Sequence, residues 1–358
     1  MRICRQSKKL GFAIVAWTLA MSVFVFFRYS QTTALPHWAS TEADIKVFAI
    51  YIGIILGCLH WLSNLIVDFS FISRINYLAT LFVKGILLLG GAVGIAGFMQ
   101  FIELWEVHNR MTTLWHIDAT NIIQSSAFHL LLIYMIVVRL SLAFIEQMGL
   151  LVGPKELINI ALGKYHRPRY EQRLFMYLDM TNSTAHAEQL GDYRFSCLIQ
   201  DCFRLLSDPV TDNNAEIYRY MGDAVLIHWS LKDGVEKDRC INLYTEFNQI
   251  LKWQGNFFKQ KYGLVPQFKA AVHCGQVVTA VVGVQKQEIS FFSDVLNTLA
   301  RLQDKCGPLK QKLLISAAVA IRLRQVSDIT LIDLGMVKLK GKQHSMQVFA
   351  VENKEIKH

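Results

Sequence analysis

The sequence has no closely paired cysteines. Its seven cysteines are scattered along 358 residues, and no Cys-x-x-Cys motif occurs. They are Cys4, Cys58, Cys197, Cys202, Cys240, Cys274 and Cys306. Small disulfide-stabilised domains have dense, regularly spaced cysteines and belong to oxidising compartments. The pattern therefore argues against a disulfide framework and favours a reducing compartment for the soluble part of the chain.

The sequence also lacks clusters of Arg and Lys interleaved with aromatic residues, although its formal net charge is +9. Such clusters are typical of nucleic-acid-binding surfaces. We therefore expect no nucleic-acid partner, and we assign the positive charge to the membrane side of the protein and to phosphate handling. Internal repeats and low-complexity segments are absent from the sequence as well.

Charged residues are few, at 18% against 53% hydrophobic residues, and the apolar residues concentrate before about residue 147. Four apolar blocks predict four transmembrane helices, over residues 10–27, 47–67, 78–101 and 122–138. The first block follows a basic segment and resembles a signal peptide. Its length of about 18 residues and the lack of a convincing cleavage site favour an uncleaved helix.

Charge asymmetry predicts the orientation of these helices. The N-terminus is basic, whereas the loop after the third block is mainly acidic, so the N-terminus is expected in the cytoplasm. We expect a multi-pass protein of the inner (plasma) membrane, with the chain cytoplasmic after Arg139. The predicted domains are a membrane domain over 1–147, a linker over 148–172 and a catalytic domain over 173–358. The linker either transmits movement of the fourth helix or is a plain tether.

Polar residues inside the predicted helices raise the question of a membrane cofactor. His60 and His129 on facing helices could ligate a haem. Hydrogen bonding between helices, with Asn64 beside His60, explains them without a cofactor and is the preferred interpretation. His108 and His116, near the outer surface, could hold a metal, and this too is not the preferred interpretation. The lipid bilayer and an unidentified ligand of the membrane domain are the partners expected for this half.

Residues 174–184, Leu-Phe-Met-Tyr-Leu-Asp-Met-Thr-Asn-Ser-Thr, combine an apolar run with an acid and small hydroxyl residues. The run predicts a buried strand that ends at Asp179, followed by a short helix closed by Gly191. A carboxylate beside a helix start can bring a metal and a phosphate together. Taken alone, an Asp in this position is more often a turn or capping residue.

The next segments predict a mixed helix and strand domain. Residues 215–229 are typical of a hairpin with Asp223 at the turn. A second turn acid could complete a site for two divalent metals, or it could only form the turn. Further along we expect helices over 238–262 and 294–306, a strand-rich stretch over 267–283 broken at Gly275, and strands over 313–316, 330–339 and 345–351.

Asn297 and Arg301 are four residues apart and share one face of the predicted helix. An amide beside a guanidinium suits a sugar and a charged phosphate. The alternative for this pair is an ordinary solvated helix face.

Five motifs together resemble the catalytic domain of class III adenylyl and guanylyl cyclases. They are FMYLDMTNST at 175–184, IYRYMGD at 217–223, FKAAVHCG at 268–275, SFFSDVLNTLAR at 290–301 and LKGK at 339–342. The resemblance covers about residues 171–351. It implies an α+β ferredoxin-like domain after the membrane helices, acting as a head-to-tail homodimer with each active site at the interface.

The resemblance also implies roles for individual residues. The metal ligands, for two Mg²⁺ or Mn²⁺, would be Asp179, Asp223 and the backbone carbonyl of Met180. The phosphate-binding residues would be Asn182, Ser183, Thr184, Lys269 and Lys340. The partner chain would supply Asn297 for the ribose and Arg301 for the transition state. Arg219 and Ser290 fall on the two purine-selecting positions.

Three departures from the family pattern bear on these roles. Adenylyl cyclases usually have lysine with aspartate or threonine at the purine positions, and guanylyl cyclases have glutamate with cysteine. Arg219 is a forked cation and Ser290 keeps a hydroxyl, so ATP is favoured. Asn182 replaces a frequent glycine, in a conformation that asparagine tolerates. Lys269 stands where an arginine is usual.

These observations predict a membrane-bound adenylyl cyclase that makes 3′,5′-cyclic AMP and pyrophosphate from ATP. The alternatives are a guanylyl cyclase and a catalytically silent receptor whose cyclase fold only dimerises or binds nucleotide. A transporter lacks support because the helices show no repeat.

Overall fold

In a computed structural model, residues 2–29, 42–69, 79–91, 126–285, 287–324 and 329–351 are described. The chain divides into two compact units, Met1–Leu150 and Leu151–His358. The predicted sites at His108 and His116 lie outside the described residues.

The first unit is helical. It contains α1 (Arg2–Tyr29), α2 (Glu42–Phe69), α3 (Ala79–Gly91) and α4 (Ser126–Val152). Within the described residues, three of these helices are long and apolar enough to cross a membrane, and their apolar segments are Lys9–Arg28, Lys46–Val67 and His129–Val152. The predicted count of four is therefore not confirmed. The third predicted span is described only over α3, which is shorter.

Glycines on α2 allow it to approach α1 closely. A Cβ atom on Gly53 would lie 2.4 Å from the Cα atom of Thr18, and one on Gly57 would lie 2.5 Å from the Cα atom of Ile14. The two glycines are four residues apart and therefore face the same side of α2. Any side chain at either position would push the two helices apart.

Helix α4 continues beyond the end of the fourth predicted span. The prediction placed that end at residue 138, before Arg139, and expected a break from Gly149 onward, yet α4 continues to Val152. Arg139 is only 5% exposed, and its Nη1 atom lies 3.9 Å from Oε2 of Glu146, two turns along the same helix. An opposite charge on the same face reduces the cost of keeping Arg139 inside the helix bundle. Arg139 therefore does not mark the end of the helix.

A hydrogen bond between helices involves the buried His60. Its Nε2 atom lies 2.9 Å from Oε1 of Glu146 on α4, and Asn64 Nδ2 donates to the same oxygen over 3.3 Å. His129, the other residue considered for haem, is exposed on α4. These contacts match the interpretation in which His60 and Asn64 form hydrogen bonds between helices. Haem ligation by His60 and His129 stays a prediction.

The second unit begins with a short linker helix and contains eight strands among the described residues. The helices are α5 (Pro154–Ala161), α6 (Ser183–Asp212), α7 (Leu231–Val235), α8 (Arg239–Trp253), α9 (Gly255–Tyr262), α10 (Asp294–Gln303) and α11 (Ala317–Arg324). The strands are β1 (Arg169–Met180), β2 (Glu216–Met221), β3 (Ala224–Ser230), β4 (Phe268–Val282), β5 (Glu288–Phe292), β6 (Leu313–Ser316), β7 (Leu331–Val337) and β8 (Met346–Val351).

The strands form one mixed sheet in the order β2-β3-β1-β4-β6-β8-β7, and β5 pairs with β4. The β4–β6 pair is parallel and the other pairs are antiparallel. The predicted hairpin is confirmed as β2 and β3, with Gly222 and Asp223 between them. The strand expected to end at Asp179 is confirmed as β1, which runs one residue further.

Alternation along β1 separates two apolar layers. Leu174, Met176 and Leu178 pack with residues of α6, α8 and α11 on one face. Phe175 packs on the opposite face with the apolar stripe of α10, including Leu299. Asp179 follows Phe175 by four residues, so the two side chains point to the same face of β1. Its carboxylate therefore faces the α10 side of the sheet.

Two breaks between helical segments lie beside glycines. The break predicted at Gly191 is confirmed, because Gly191 has non-helical φ and ψ angles of +72° and 161° where two helical segments join within α6. The single helix expected over 238–262 is two helices, α8 and α9, that meet at Gln254. Gly255 is the first residue of α9, so a glycine stands next to this break as well.

Gly275 does not break its strand, contrary to the expectation. β4 is continuous from Phe268 to Val282, and Gly275 pairs in register with Arg173. A Cβ atom at Gly275 would lie 2.6 Å from Cγ2 of Val295 on α10. The glycine therefore serves the close approach of helix and strand rather than a turn.

We expect Gly275→Ala to lower the free energy of unfolding of this unit by about 1–3 kcal/mol, because the added methyl group overpacks against Val295. The melting temperature of the full-length protein in detergent, measured by calorimetry, should fall. Gly307→Ala is the matched control, since no atom lies within 4 Å of a Cβ there. Equal melting temperatures for the two variants would contradict this explanation.

Candidate active site

The two predicted metal ligands lie at one edge of the sheet. Asp179, one residue before the end of β1, pairs in register with Ala224, the first residue of β3, and Asp223 directly precedes Ala224 in the turn. Gln303 Nε2 donates to Oδ2 of Asp179 over 2.7 Å, and Lys269 Nζ lies 3.3 Å from the same oxygen. Burial raises the pKa of Asp179; the charge of Lys269 opposes this rise, and that of Asp223 adds to it.

This donor set suits a hard divalent cation. Mg²⁺ and Mn²⁺ prefer carboxylate and carbonyl oxygens, and Asp179 and Asp223 are close enough for their charges to interact. A cation between them would relieve the repulsion that raises the pKa of Asp179. The Met180 side chain is buried in the core at 1% exposure, so only its backbone carbonyl could serve as a ligand. The residues present therefore fit the predicted metal pair.

The turn after β1 presents the N-terminus of α6 next to Asp179. Asn182 is the N-cap residue in the left-handed region, with φ of +57°, and its side chain makes no capping hydrogen bond. The backbone conformation expected for an asparagine in place of glycine is therefore confirmed. Ser183 and Thr184 form the first turn of α6. The free backbone N–H groups of this turn and the helix dipole favour a phosphate group.

A second group of predicted residues meets at α10 and the turn between β7 and β8. Arg301 packs its guanidinium against the turn, with Nη2 lying 3.5 Å from the position of a Cβ atom on Gly341. Lys340 is the preceding residue and is exposed, as is Asn297 one turn before Arg301 on α10. Lys342 pairs with Asp294 at the start of α10. The structure therefore places Asn297, Arg301 and Lys340 on one surface.

The two groups do not meet within one chain. Gln303 and Arg301 are two residues apart on α10 and differ in direction by about 200°. Gln303 reaches Asp179, whereas Arg301 faces Gly341. Among the described residues, no hydrogen bond or ion pair joins the metal ligands to Arg301. A single chain therefore presents the two groups in different directions.

The two predicted purine-selecting residues are linked through a third side chain. Arg219 Nη2 donates to Oε1 of Glu288 over 2.7 Å, and the guanidinium lies over the Tyr218 ring at 5.4 Å. Glu288 and Ser290 are two residues apart on β5, on the same side of that strand. The sheet therefore brings Arg219 near Ser290.

Two of these contacts were missed by reasoning from sequence. Gln303 is separated from Asp179 by 124 positions, and no local pattern signals their contact. Glu288 carries a weak signal, since it stands two residues before Ser290 in a strand and so shares its face.

A different cluster of potential ligands was also missed. Oxygen atoms of Glu156 and Glu216 and a ring nitrogen of His228 lie within 4.8 Å of one another. Glu216 is paired in register with His228, near the Arg173 end of β1. His228 pairs in register with Phe175, which precedes Asp179 by four residues, or roughly 13 Å along a strand at about 3.3 Å per residue. This cluster is therefore separate from the predicted metal pair.

The catalytic unit matches a known family model. Residues 166–353, more than half of the chain, match the model described as the adenylate and guanylate cyclase catalytic domain. The chain belongs to this cyclase family. The family assignment confirms the resemblance carried by the five motifs, and the mixed sheet is compatible with a cyclase catalytic domain.

Two curated relatives come from Rhizobium meliloti (strain 1021). Adenylate cyclase 2 is 31% identical over 220 residues, which cover 62% of this chain and 61% of the relative. Adenylate cyclase 1 is 22% identical over 214 residues, which cover 55% of this chain and 30% of the relative. The match therefore spans less than two thirds of either relative.

One solved structure shows the same fold. A bacterial light-regulated adenylyl cyclase aligns with a TM-score of 0.52 at 16% sequence identity, over 64% of this chain and 67% of that chain. At this identity the likeness concerns the fold, not the substrate.

Proposed function

We propose that this cyclase is a membrane-bound adenylyl cyclase that converts ATP to 3′,5′-cyclic AMP and pyrophosphate. The observation that carries the proposal is the presence of both groups of active-site residues on one chain. Asp179 and Asp223 form the metal-binding group, and Asn297 and Arg301 form the group that would act on the ribose and phosphate. The name of the relative Adenylate cyclase 2 supports the same activity.

In the proposed reaction the ribose 3′-hydroxyl releases its proton to solvent water and its oxygen attacks the α-phosphorus. The bond from that phosphorus to the oxygen bridging the β-phosphate breaks, and pyrophosphate leaves with the bonding electrons. Two divalent cations, when bound by Asp179, Asp223 and the Met180 carbonyl, would neutralise the triphosphate and lower the pKa of the attacking hydroxyl. Most of the remaining catalysis is positioning and charge stabilisation.

Residues of the chain would position the substrate and stabilise its charge. The α6 N-terminus, with Asn182, Ser183 and Thr184, would hold phosphate oxygens. Lys269 lies 3.3 Å from Asp179, at a point suited to the same triphosphate. Asn297 would orient the ribose, and Arg301 would stabilise negative charge that develops on the transferred phosphoryl group. Lys340, exposed beside Arg301, would bind a further phosphate oxygen.

We propose that the complete site forms between two copies of the chain. Arg301 and Asp179 face different directions within one chain, so a head-to-tail partner would have to place its Arg301 opposite Asp179. Because each chain carries both groups, a homodimer would have two equivalent sites.

The proposed membrane attachment is supported by the three apolar helices of the first unit. We place the N-terminus and the catalytic unit in the cytoplasm at the plasma membrane, where ATP is available. The proposed domains are the membrane helices over 1–147, the linker over 148–172 and the catalytic domain over 173–358.

Selection of ATP over GTP is proposed from Arg219 and Ser290, neither of which matches the usual guanine-selecting pair.

One observation favours the second candidate, a guanylyl cyclase. Glu288 places a carboxylate beside Arg219, and a carboxylate can accept hydrogen bonds from the N–H groups of guanine.

We expect the purified full-length protein with Mn²⁺ to form cyclic AMP from ATP at least about tenfold faster than cyclic GMP from GTP, because one well-placed base contact contributes about this factor. Both products are quantified in parallel reactions at equal nucleotide concentration. The Glu288→Gln variant is the matched comparison, since it removes the carboxylate and keeps the shape. Cyclic GMP as the main product of the wild type would contradict the assignment of ATP.

A further inference from the structure

Linker helix α5 meets the catalytic sheet through a pair of carboxylates. Glu156 lies in the first turn of α5 and is only 9% exposed. One of its carboxyl oxygens lies within 4.8 Å of a carboxyl oxygen of Glu216 on β2, and Oε2 of Glu216 is buried with no hydrogen-bond donor assigned to it among the described residues. Two carboxylates offer only acceptors, so one of the two groups must carry a proton to donate a hydrogen bond to the other. The contact therefore depends on a bound proton.

The surroundings determine which carboxyl holds the proton. Burial, followed by the contact with Glu216, raises the pKa of Glu156 to about 8. Burial alone would raise the pKa of Glu216 as well, but the hydrogen bond from Glu156 and the charge of Lys155 lower it. Lys155 Nζ lies 2.9 Å from Oε1 of Glu216. Glu156 is therefore the protonated donor and Glu216 the charged acceptor.

Other titratable and charged groups surround this pair from every neighbouring element. They are Lys155 on α5, Lys164 and Tyr165 in the connection to β1, Glu171 and Arg173 on β1, His228 on β3 and Asp233 on α7. Most of them are already paired. Arg173 donates to Glu171 over 2.7 Å and to the Tyr165 hydroxyl over 3.0 Å, and Lys164 lies 3.1 Å from Glu171. Within this set, burial and the contact with Glu216 bring the pKa of Glu156 to about 8.

A proton explains the cluster better than a metal does, although His228 completes a possible set of three ligands. Arg173 Nη1 lies 3.3 Å from Nδ1 of His228. A guanidinium only donates, so Nδ1 accepts and the ring proton resides on Nε2. Neither nitrogen of His228 then has a free lone pair for a cation. Burial, together with the charge of Arg173, lowers the pKa of His228 to about 3, so the ring stays neutral.

We propose that Glu156 and Glu216 share one proton and form a clasp that fastens linker helix α5 to strand β2, making the attachment of the linker dependent on pH. Gly153 joins α5 directly to α4, so the clasp lies where the chain enters the catalytic unit. The inference does not depend on the proposed cyclase activity.

The direction of the pH effect follows from proton linkage. The closed clasp binds one proton up to about pH 8, whereas a glutamate released into solvent loses its proton near pH 4.5. The clasp is therefore tightest at the acid end of this interval. Opening becomes up to about tenfold more favourable per pH unit as the pH rises toward 8, and it levels off above that value.

Hydrogen exchange of the full-length protein in nanodiscs, corrected for the chemical exchange rate at each pH, tests this inference. In the wild type the protection of α5 amides should fall up to about tenfold between pH 6.5 and 7.5. In Glu156→Gln it should stay constant, because glutamine donates to Glu216 at every pH. Asp233→Asn, which alters another acid in the same pocket, should retain the wild-type slope. Equal slopes in the wild type and Glu156→Gln would overturn the inference.

Infrared difference spectroscopy gives a second readout that is independent of cyclase activity. The wild type should show the C=O band of a protonated carboxyl group at pH 7, and Glu156→Gln should lack it. Absence of the band from the wild type would overturn the inference. So would Zn²⁺ binding by chelator-treated protein that Glu156→Gln abolishes, since the cluster would then be a metal site.

Discussion

Asp179→Ala and Asn297→Ala chains, co-expressed with different affinity tags and purified as mixed dimers, should recover about half of the wild-type cyclase activity. Each variant alone should retain less than about 1%, because both of its sites lack either the metal ligand Asp179 or the ribose-orienting amide of Asn297. The recovery follows from geometry. In one chain Gln303 faces Asp179, whereas Arg301 faces Gly341. A mixed dimer therefore has one site with both defects and one site with none.

The matched control pairs two defects from the same group. Asp179→Ala mixed with Asp223→Ala should recover no activity, because every site in that dimer lacks a metal ligand. Recovery in this control, or none in the Asp179→Ala and Asn297→Ala mixture, would contradict a site shared between chains. The measurement is the initial rate of cyclic AMP formation per dimer.

Arg301→Ala should lower kcat by about 100- to 1,000-fold with a smaller change in KM. Loss of a preorganised donor to transition-state charge has an effect of this size. Arg301 lies against Gly341 with its guanidinium directed along the exposed surface that also carries Asn297 and Lys340. Arg301→Lys should recover only part of the rate, because lysine keeps the charge and loses the planar fork.

Arg204→Ala is the control for this prediction. Arg204 is an exposed arginine on α6, 3.9 Å from Asp201, and it lies outside the proposed site. The kcat of Arg204→Ala should equal that of the wild type. Steady-state kinetics over a range of ATP concentrations separate the effects on kcat and KM. A rise in KM without loss of kcat would show that Arg301 only binds substrate.

Local signals in the sequence predicted the framework of this site. The apolar run ending at Asp179 and the hairpin around Asp223 each depend on a few adjacent residues. Such features follow from strand alternation and turn chemistry, which are local properties.

Contacts between distant segments were the part that could not be predicted. Gly275 appeared to be a strand break because glycine favours turns, yet Val295 of α10 occupies the space above it. Arg139 was expected to follow the end of a membrane helix, yet the helix continues past it and Glu146 lies on the same face. Glu156 belongs to a short linker helix, and its pairing with Glu216 depends on how that helix packs against β2. Each outcome is decided by tertiary packing.

The most direct test of the proposed activity is the amount of cyclic AMP and pyrophosphate formed per ATP consumed by the purified full-length protein with Mn²⁺. The proposed reaction breaks one phosphorus–oxygen bond and forms another, so ATP loss should be matched by equal amounts of the two products. Asp179→Ala, prepared in parallel, should form neither. ADP and phosphate in place of these products, or no turnover of either ATP or GTP, would contradict the account.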